Sequence, residues 1–190
     1  MQPIPVSFSR LVAAYPDHQG FPAPTLLDAI GGEVRATVRD TDNTCAVRMS
    51  YCLNRAGAPI RRVAADVLYR RARSVADPLT PVDRRVTAGE LYVIRAADVR
   101  RYLNARYHEG VLIWDGYRAD SFKTSFSGVT QGIIVFEWRG RYSDFGASGH
   151  ADLFRIALTD GQPPVLKPAC IGDCYWMKGP MYAYFWETNP

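Results

Sequence analysis

Apolar residues in this 190-residue chain change their spacing part-way along it, and that change restricts the possible folds more than any single motif does. Early on they recur at helical intervals: Phe8, Leu11, Val12 and Tyr15 before Pro16, then Leu26, Leu27 and Ile30 before Gly31-Gly32. The same spacing holds for Met49, Cys52 and Leu53 behind Cys45, and for the amphipathic stretch Asp98 to Leu103 that runs on toward His108-Glu109-Gly110. Later the apolar residues come as short continuous runs. Leu91 to Ile94, Gly132 to Trp138, His150 to Leu158 and Met181 to Trp186 have the length and composition of strands. Helices first and strands later predict an α+β domain, with N-terminal helices packed on a C-terminal antiparallel sheet. The length predicts one domain over residues 1–190.

Other stretches are weaker. Thr25 is expected to cap the second helix after Pro24, with Val34 and Val38 in a following turn or extended piece. Val63, Val67 and Leu68 read as weakly helical, 77–81 as a loop, and 139–149 as a polar loop.

Composition removes several functional classes. No apolar run approaches the ~20 residues of a membrane-spanning helix, and the start, Met1-Gln-Pro-Ile-Pro-Val, lacks the basic-then-apolar pattern of a secretory signal. Net charge is +4, and the arginine pairs at 61–62, 70–71, 84–85 and 100–101 alternate with Val, Ala and Asp, as solvated faces do. No nucleic-acid partner is therefore expected, since no aromatic and basic repeat marks a single-strand platform. Cysteines at 45, 52, 170 and 174 include no CxxC, and only three histidines exist, so no metal or other cofactor is expected.

Asp42-Asn43-Thr44 is the strongest helix start in the chain, and it places Cys45 in the first turn. There the unpaired amides and the helix dipole favour a thiolate. Cys52 lies further along the same face without a helix end to activate it. A thiol nucleophile needs a base. His18 sits in a turn and His108 near a helix end, whereas His150, behind Ser148-Gly149 at the head of an apolar strand, can be held rigidly and ranks first. Two carboxylates are candidates to orient its ring. Asp152 lies on the same strand face, and Asp173 lies within Cys170-Ile171-Gly172-Asp173-Cys174, whose end cysteines are close enough in sequence to bridge. Cys45 and Cys52 are not: seven helical residues separate their Cα atoms by roughly 10 Å, beyond the ~7 Å a disulfide tolerates.

An ordered set of segments carries a resemblance. Leu27-Asp-Ala-Ile-Gly-Gly-Glu-Val34, Asn43-Thr-Cys-Ala-Val-Arg-Met-Ser-Tyr-Cys-Leu-Asn54, Gly132-Ile-Ile-Val-Phe136, Gly149-His-Ala-Asp-Leu153, Cys170-Ile-Gly-Asp-Cys174 and Tyr182-Ala-Tyr-Phe-Trp186 together resemble the fourth family of type VI secretion amidase effectors. The resemblance implies a papain-like, NlpC-type fold and hydrolysis of the γ-D-glutamyl to meso-diaminopimelate bond in peptidoglycan stem peptides. It maps the nucleophile to Cys45, the base to His150 and the orienting carboxylate to Asp173, beside a disulfide of Cys170 with Cys174. Asp152 is the alternative carboxylate. It further implies synthesis in the cytoplasm, export by the type VI apparatus, action in the periplasm of a target cell, and a cognate immunity protein. The amide of Cys45 is expected to help hold the oxyanion. Competing readings are the same machinery on another amide, such as a D,D cross-link or a protein substrate of a transferase or deamidase, and a non-catalytic cell-wall or nucleic-acid-binding module.

Overall fold

The computed structural model describes residues 3–73, 86–116, 131–138, 149–156, 168–170 and 181–189. A short strand, β1 (Ile4–Ser7), runs directly into α1 (Phe8–Ala14), where Ser7 Oγ accepts from the Arg10 amide at 3.4 Å. α1 stops at Tyr15, which is extended as the residue before a proline favours. α2 (Ala23–Ile30) begins earlier than a Thr25 cap would allow. Pro24 lies inside its first turn, where a missing N–H leaves no helical bond unmade.

Gly31 and Gly32 both take positive φ, 60° and 59°, and turn the chain into α3 (Gly32–Thr37). Val34, expected in a turn or extended piece, is therefore helical, because the glycine pair redirects the chain and a new helix starts at once, whereas Val38 is the extended residue that ends it. A Cβ on Gly32 would lie 2.5 Å from the Arg73 amide nitrogen, so a glycine also lets this backbone pass close by. Next come α4 (Cys45–Ala56), β2 (Tyr69–Arg71), β3 (Leu91–Val93) and α5 (Ala96–Arg106). The weakly helical reading at Val63, Val67 and Leu68 is wrong. That stretch is irregular and leads into β2, which forms a two-stranded antiparallel pair with β3.

The larger sheet contains β4 (Val111–Gly116), β5 (Gln131–Trp138), β6 (Gly149–Ile156), β7 (Pro168–Cys170) and β8 (Met181–Asn189), with β1 completing it. The order is β1-β8-β5-β6-β7, and β4 also pairs with β8. Among the described residues every pairing in it is antiparallel except β1 with β8, which is parallel. The expected α+β architecture stands, with a mixed sheet where a purely antiparallel one was expected. The 77–81 loop and residues 139–148 of the polar loop lie outside the described residues.

Among the described residues two apolar clusters hold the layers together. One joins β1 and α1 to Cys45, Met49, Cys52 and Leu53 of α4, Val99, Tyr102 and Leu103 of α5, and Ile133, Val135, Leu153 and Trp186 of the sheet. The other packs Leu26, Leu27, Ile30 and Val34 against Val47 and Tyr51 of α4 and Tyr92 of β3. Each fully buried side chain of this size contributes roughly 1.5–3 kcal/mol. α4 is thus enclosed on both sides, and every residue from Cys45 to Leu53 is buried.

Candidate active site

Enclosure makes the start of α4 well defined, because a polar atom there must find a protein partner. Asn43 Oδ1 accepts from the Cys45 amide at 3.0 Å. The side chain that caps this helix is therefore Asn43, one position ahead of the boundary residue Thr44. Thr44 instead meets the helix interior, its Oγ1 accepting from Arg48 Nε at 3.1 Å. Asp42 turns away, its carboxylate taking the amide and guanidinium of Arg39. The Cys45 amide, expected to hold the oxyanion, is already engaged by Asn43.

Along α4 the polar residues each tie down a neighbouring segment. Arg48 is fully buried and donates through Nη1 to the carbonyls of Pro16, Asp17 and Phe21 at 2.5, 3.2 and 2.9 Å. Ser50 accepts from the Val93 amide and donates to the Val93 carbonyl, at 3.0 and 3.1 Å. Asn54 donates to the Leu91 carbonyl and accepts from the Ile60 amide. The segment from Asn43 to Asn54 is thus a fixed rod whose N-terminal end carries the thiol.

Cys45 and Cys52 are both free and buried. Cys52 Sγ donates to the Leu11 carbonyl at 3.2 Å, and burial, with Asp152 adding to it, pushes this thiol far above the usual range.

His150 is the second residue of β6, opposite Phe136 of β5, whose ring lies nearly parallel to the imidazole at 6.4 Å between centroids. Asp152, two residues on, shares its side of the strand. Asp152 Oδ2 lies 3.4 Å from His150 Nε2, and Oδ1 accepts from the Leu153 amide at 2.7 Å. Burial opposes charge on the imidazole, but hydrogen bonding to Asp152 and to Cys45 outweighs it and pushes His150 up to about 10. Burial likewise pushes the Asp152 carboxyl up, against the pull of His150, the Leu153 amide and the Tyr15 hydroxyl.

The chain thus brings Cys45, His150 and Asp152 into one buried cluster, with Tyr15 from the end of α1 beside it. Asp173, Cys174 and the side chain of Cys170 lie outside the described residues, and so does the disulfide expected between the two cysteines. His108 sits beyond α5 with Nδ1 on the Glu109 carbonyl, and His18 stays in its turn. A cavity of about 320 Å³ between α1 and α4 is lined by Arg10, Phe21, Tyr51 and Arg55 among others, but not by Cys45 or His150. Among the described residues no cluster of His, Cys, Asp or Glu is arranged for a metal, and no helix is long and apolar enough to cross a membrane.

A thiol at a helix start, an imidazole coupled to it and a carboxylate 3.4 Å from the ring's Nε2 are the parts of a cysteine nucleophile with its base. Sequence reasoning named these three residues, and Asn43 as one of three capping residues, but not the link from Asn43 to Gly149 or the places of Arg48, Ser50 and Tyr15. A usable signal existed for Arg48 and Ser50, since polar residues in a helix with two buried faces must be bonded to something.

Residues 41–186 match the model of the type VI secretion system amidase effector protein 4 family. The effector Tae4 of Salmonella typhimurium, solved with its immunity protein Tai4, is 25% identical, with all of both chains covered and a TM-score of 0.61. The type VI effector Tae4 of Enterobacter cloacae is 21% identical over all of both chains, with a TM-score of 0.64. A complex of the Salmonella typhimurium effector with the Enterobacter cloacae immunity protein gives 22% identity, 97% and 99% coverage, and a TM-score of 0.64. No curated protein matches the chain.

Proposed function

This chain belongs to the type VI secretion system amidase effector 4 family, and on that premise we propose that it hydrolyses the γ-D-glutamyl to meso-diaminopimelate amide of peptidoglycan stem peptides, with Cys45 as nucleophile and His150 as base. The observation that carries the residue roles is the buried contact of the His150 imidazole with both Cys45 and Asp152.

The raised affinity of His150 for its proton favours an imidazolium, and in this reading Cys45 reacts beside it as the thiolate. The thiolate attacks the γ-carbonyl, forming the C–S bond and a tetrahedral oxyanion toward which the N-terminal pole of α4 is directed. The imidazolium gives its proton to the departing amine, the C–N bond breaks, and a thioester remains. Water, losing a proton to the same imidazole, hydrolyses the thioester and returns the pair to its starting state. Asp152, on Nε2, is the carboxylate that holds the ring from the described residues. Asp173 is the one to which the family resemblance gives that role.

The whole chain, 1–190, serves in this reading as one catalytic domain. Membership in the family makes it a secreted antibacterial effector, and we place its action in the target periplasm, where Cys170 and Cys174 can be oxidised. The matched effectors are held by Tai4 immunity proteins, and a cognate immunity protein is the corresponding partner here. Digestion of purified muropeptides with wild type, Cys45→Ala and His150→Ala, with products identified by mass, tests the reading. Loss of at least ~10³ in rate for both variants is expected. Full activity in either, or cleavage at the D,D cross-link alone, would reject it.

A further inference from the structure

We propose that Asn43 is a positioning residue that sets the distance between the Cys45 thiol and the His150 imidazole, by holding the segments that carry them with the two ends of one carboxamide. The inference rests on the roles proposed for Cys45 and His150.

The orientation of the carboxamide follows from its partners. The Cys45 amide can only donate, so the oxygen of Asn43 must face it, as it does at 3.0 Å. Nδ2 then points the other way, toward the carbonyl of Gly149 at 3.5 Å, 106 positions along the chain. One bonded group belongs to the nucleophile itself, and the other to the residue immediately before the base. A side chain reaching between them is a spacer across the site.

A spacer needs a fixed reference, and Gly149 provides one. A Cβ there would lie 2.6 Å from the Phe136 carbonyl oxygen and 3.0 Å from Ala96 Cβ. The backbone of β6 is therefore pressed between β5 and the first residue of α5, and its carbonyl has little freedom to move. Against this stop, Asn43 places the start of a rod that Arg48, Ser50 and Asn54 already fix along its length. The rod fixes direction, and Asn43 fixes its approach to His150.

Capping alone would not require asparagine, because serine and aspartate also accept a bond from a first-turn amide. Asn43→Asp has no donor for the Gly149 carbonyl, and in Asn43→Ser the hydroxyl, which can donate, is a single atom on a shorter stem and does not span the Cys45 amide and the Gly149 carbonyl as the two ends of a carboxamide do. Serine adds no charge to a site already containing His150 and Asp152 of β6, Tyr15 from α1, and Arg48 and Cys52 of α4.

The test is steady-state cleavage of a defined muropeptide by Asn43→Ser, Asn43→Asp and Asn43→Ala, with melting temperature and the rate of Cys45 alkylation by iodoacetamide at pH 6 measured on each. The serine and aspartate variants are expected to melt close to wild type, yet to lose about tenfold to a hundredfold in kcat with KM within about twofold. Their alkylation at pH 6 is expected to slow about tenfold, because a nearby imidazolium favours the reactive thiolate and loses that effect as it moves away. Wild-type kcat in both serine and aspartate variants would overturn the proposal, leaving Asn43 a helix cap. So would losses that disappear once activity is expressed per folded molecule. Cys45→Ala and His150→Ala run alongside: activity in those sinks the catalytic assignment, whereas activity only in the Asn43 variants sinks the spacer.

Discussion

Asp152 Oδ2 stands 3.4 Å from His150 Nε2, with both side chains buried and two positions apart on one strand. The carboxylate meets the ring at Nε2, and its other oxygen is fixed by the Leu153 amide. It is thus able to choose the tautomer and to stabilise the imidazolium. Asp152→Asn preserves shape and removes charge, and is expected to lower kcat by about 10²–10⁴ with a small change in KM. Asp173→Asn, measured beside it, decides between the two carboxylates. A full loss in Asp173→Asn with near-normal Asp152→Asn would move the orienting role to residue 173.

The same pair gives folding stability a pH dependence. His150 is raised from 6.5 to about 10 in the folded chain. A group raised on folding contributes stability that is complete below its unfolded pKa and lost as pH climbs through the folded value. Asp152 is also raised, by burial, and pulls the same way at lower pH. Urea unfolding at intervals from pH 6 to pH 10 should therefore show stability falling as pH rises. In His150→Asn that slope should flatten over the same window. An equal slope in wild type and variant would show that the imidazole is not the titrating group.

Much of this site was legible because its signals are local. A cluster of capping residues before Cys45 and a glycine-led apolar run at His150 each identify an element from a few neighbours, and those elements formed at α4 and β6. What was not legible depends on distant backbone. The carbonyls of Pro16, Asp17 and Phe21 that hold Arg48 carry no residue-type signature, and nothing around Asn43 announces that its amide meets Gly149. The overlooked strands are short or edge-lying. β1 contains a proline and pairs with β8 at only two positions, while β4 leaves Val111 and Leu112 exposed, so neither shows the alternation of a half-buried strand. α3 was hidden by Gly31-Gly32, which read as an ending and served as a corner.

The two thiols of α4 should differ sharply in reactivity, although both are buried and lie on one face of the helix. Cys52 is bonded to the Leu11 carbonyl and driven toward its neutral form, whereas Cys45 shares a hydrogen bond with an imidazole. Brief treatment of native protein with iodoacetamide at neutral pH, followed by peptide mass analysis, should label Cys45 and leave Cys52 unmodified until the chain is unfolded. Labelling of Cys52 at a comparable rate in native protein would contradict the packing of α1 on α4.

Arg48 supplies the sharpest stability prediction. Its guanidinium is wholly buried and bonds to Thr44 Oγ1 and to three carbonyls of the segment between α1 and α2. Arg48→Met keeps most of the volume and removes every donor. Thr44 can rotate its hydroxyl to another partner, but the carbonyls of Pro16, Asp17 and Phe21 are fixed and would be left short of a donor. Each such loss costs about 1–3 kcal/mol and the three are not independent, so a net destabilisation of about 3–5 kcal/mol is expected from urea unfolding. Arg48→Lys should cost less, because an ammonium on a flexible stem can reach some of these carbonyls but cannot span them as a planar fork does. Because Pro16 follows Tyr15, which lies beside Asp152, releasing this segment should also weaken activity beyond what unfolding explains. A methionine variant within about 1 kcal/mol of wild type would mean that water replaces the guanidinium and that the segment is held by other contacts.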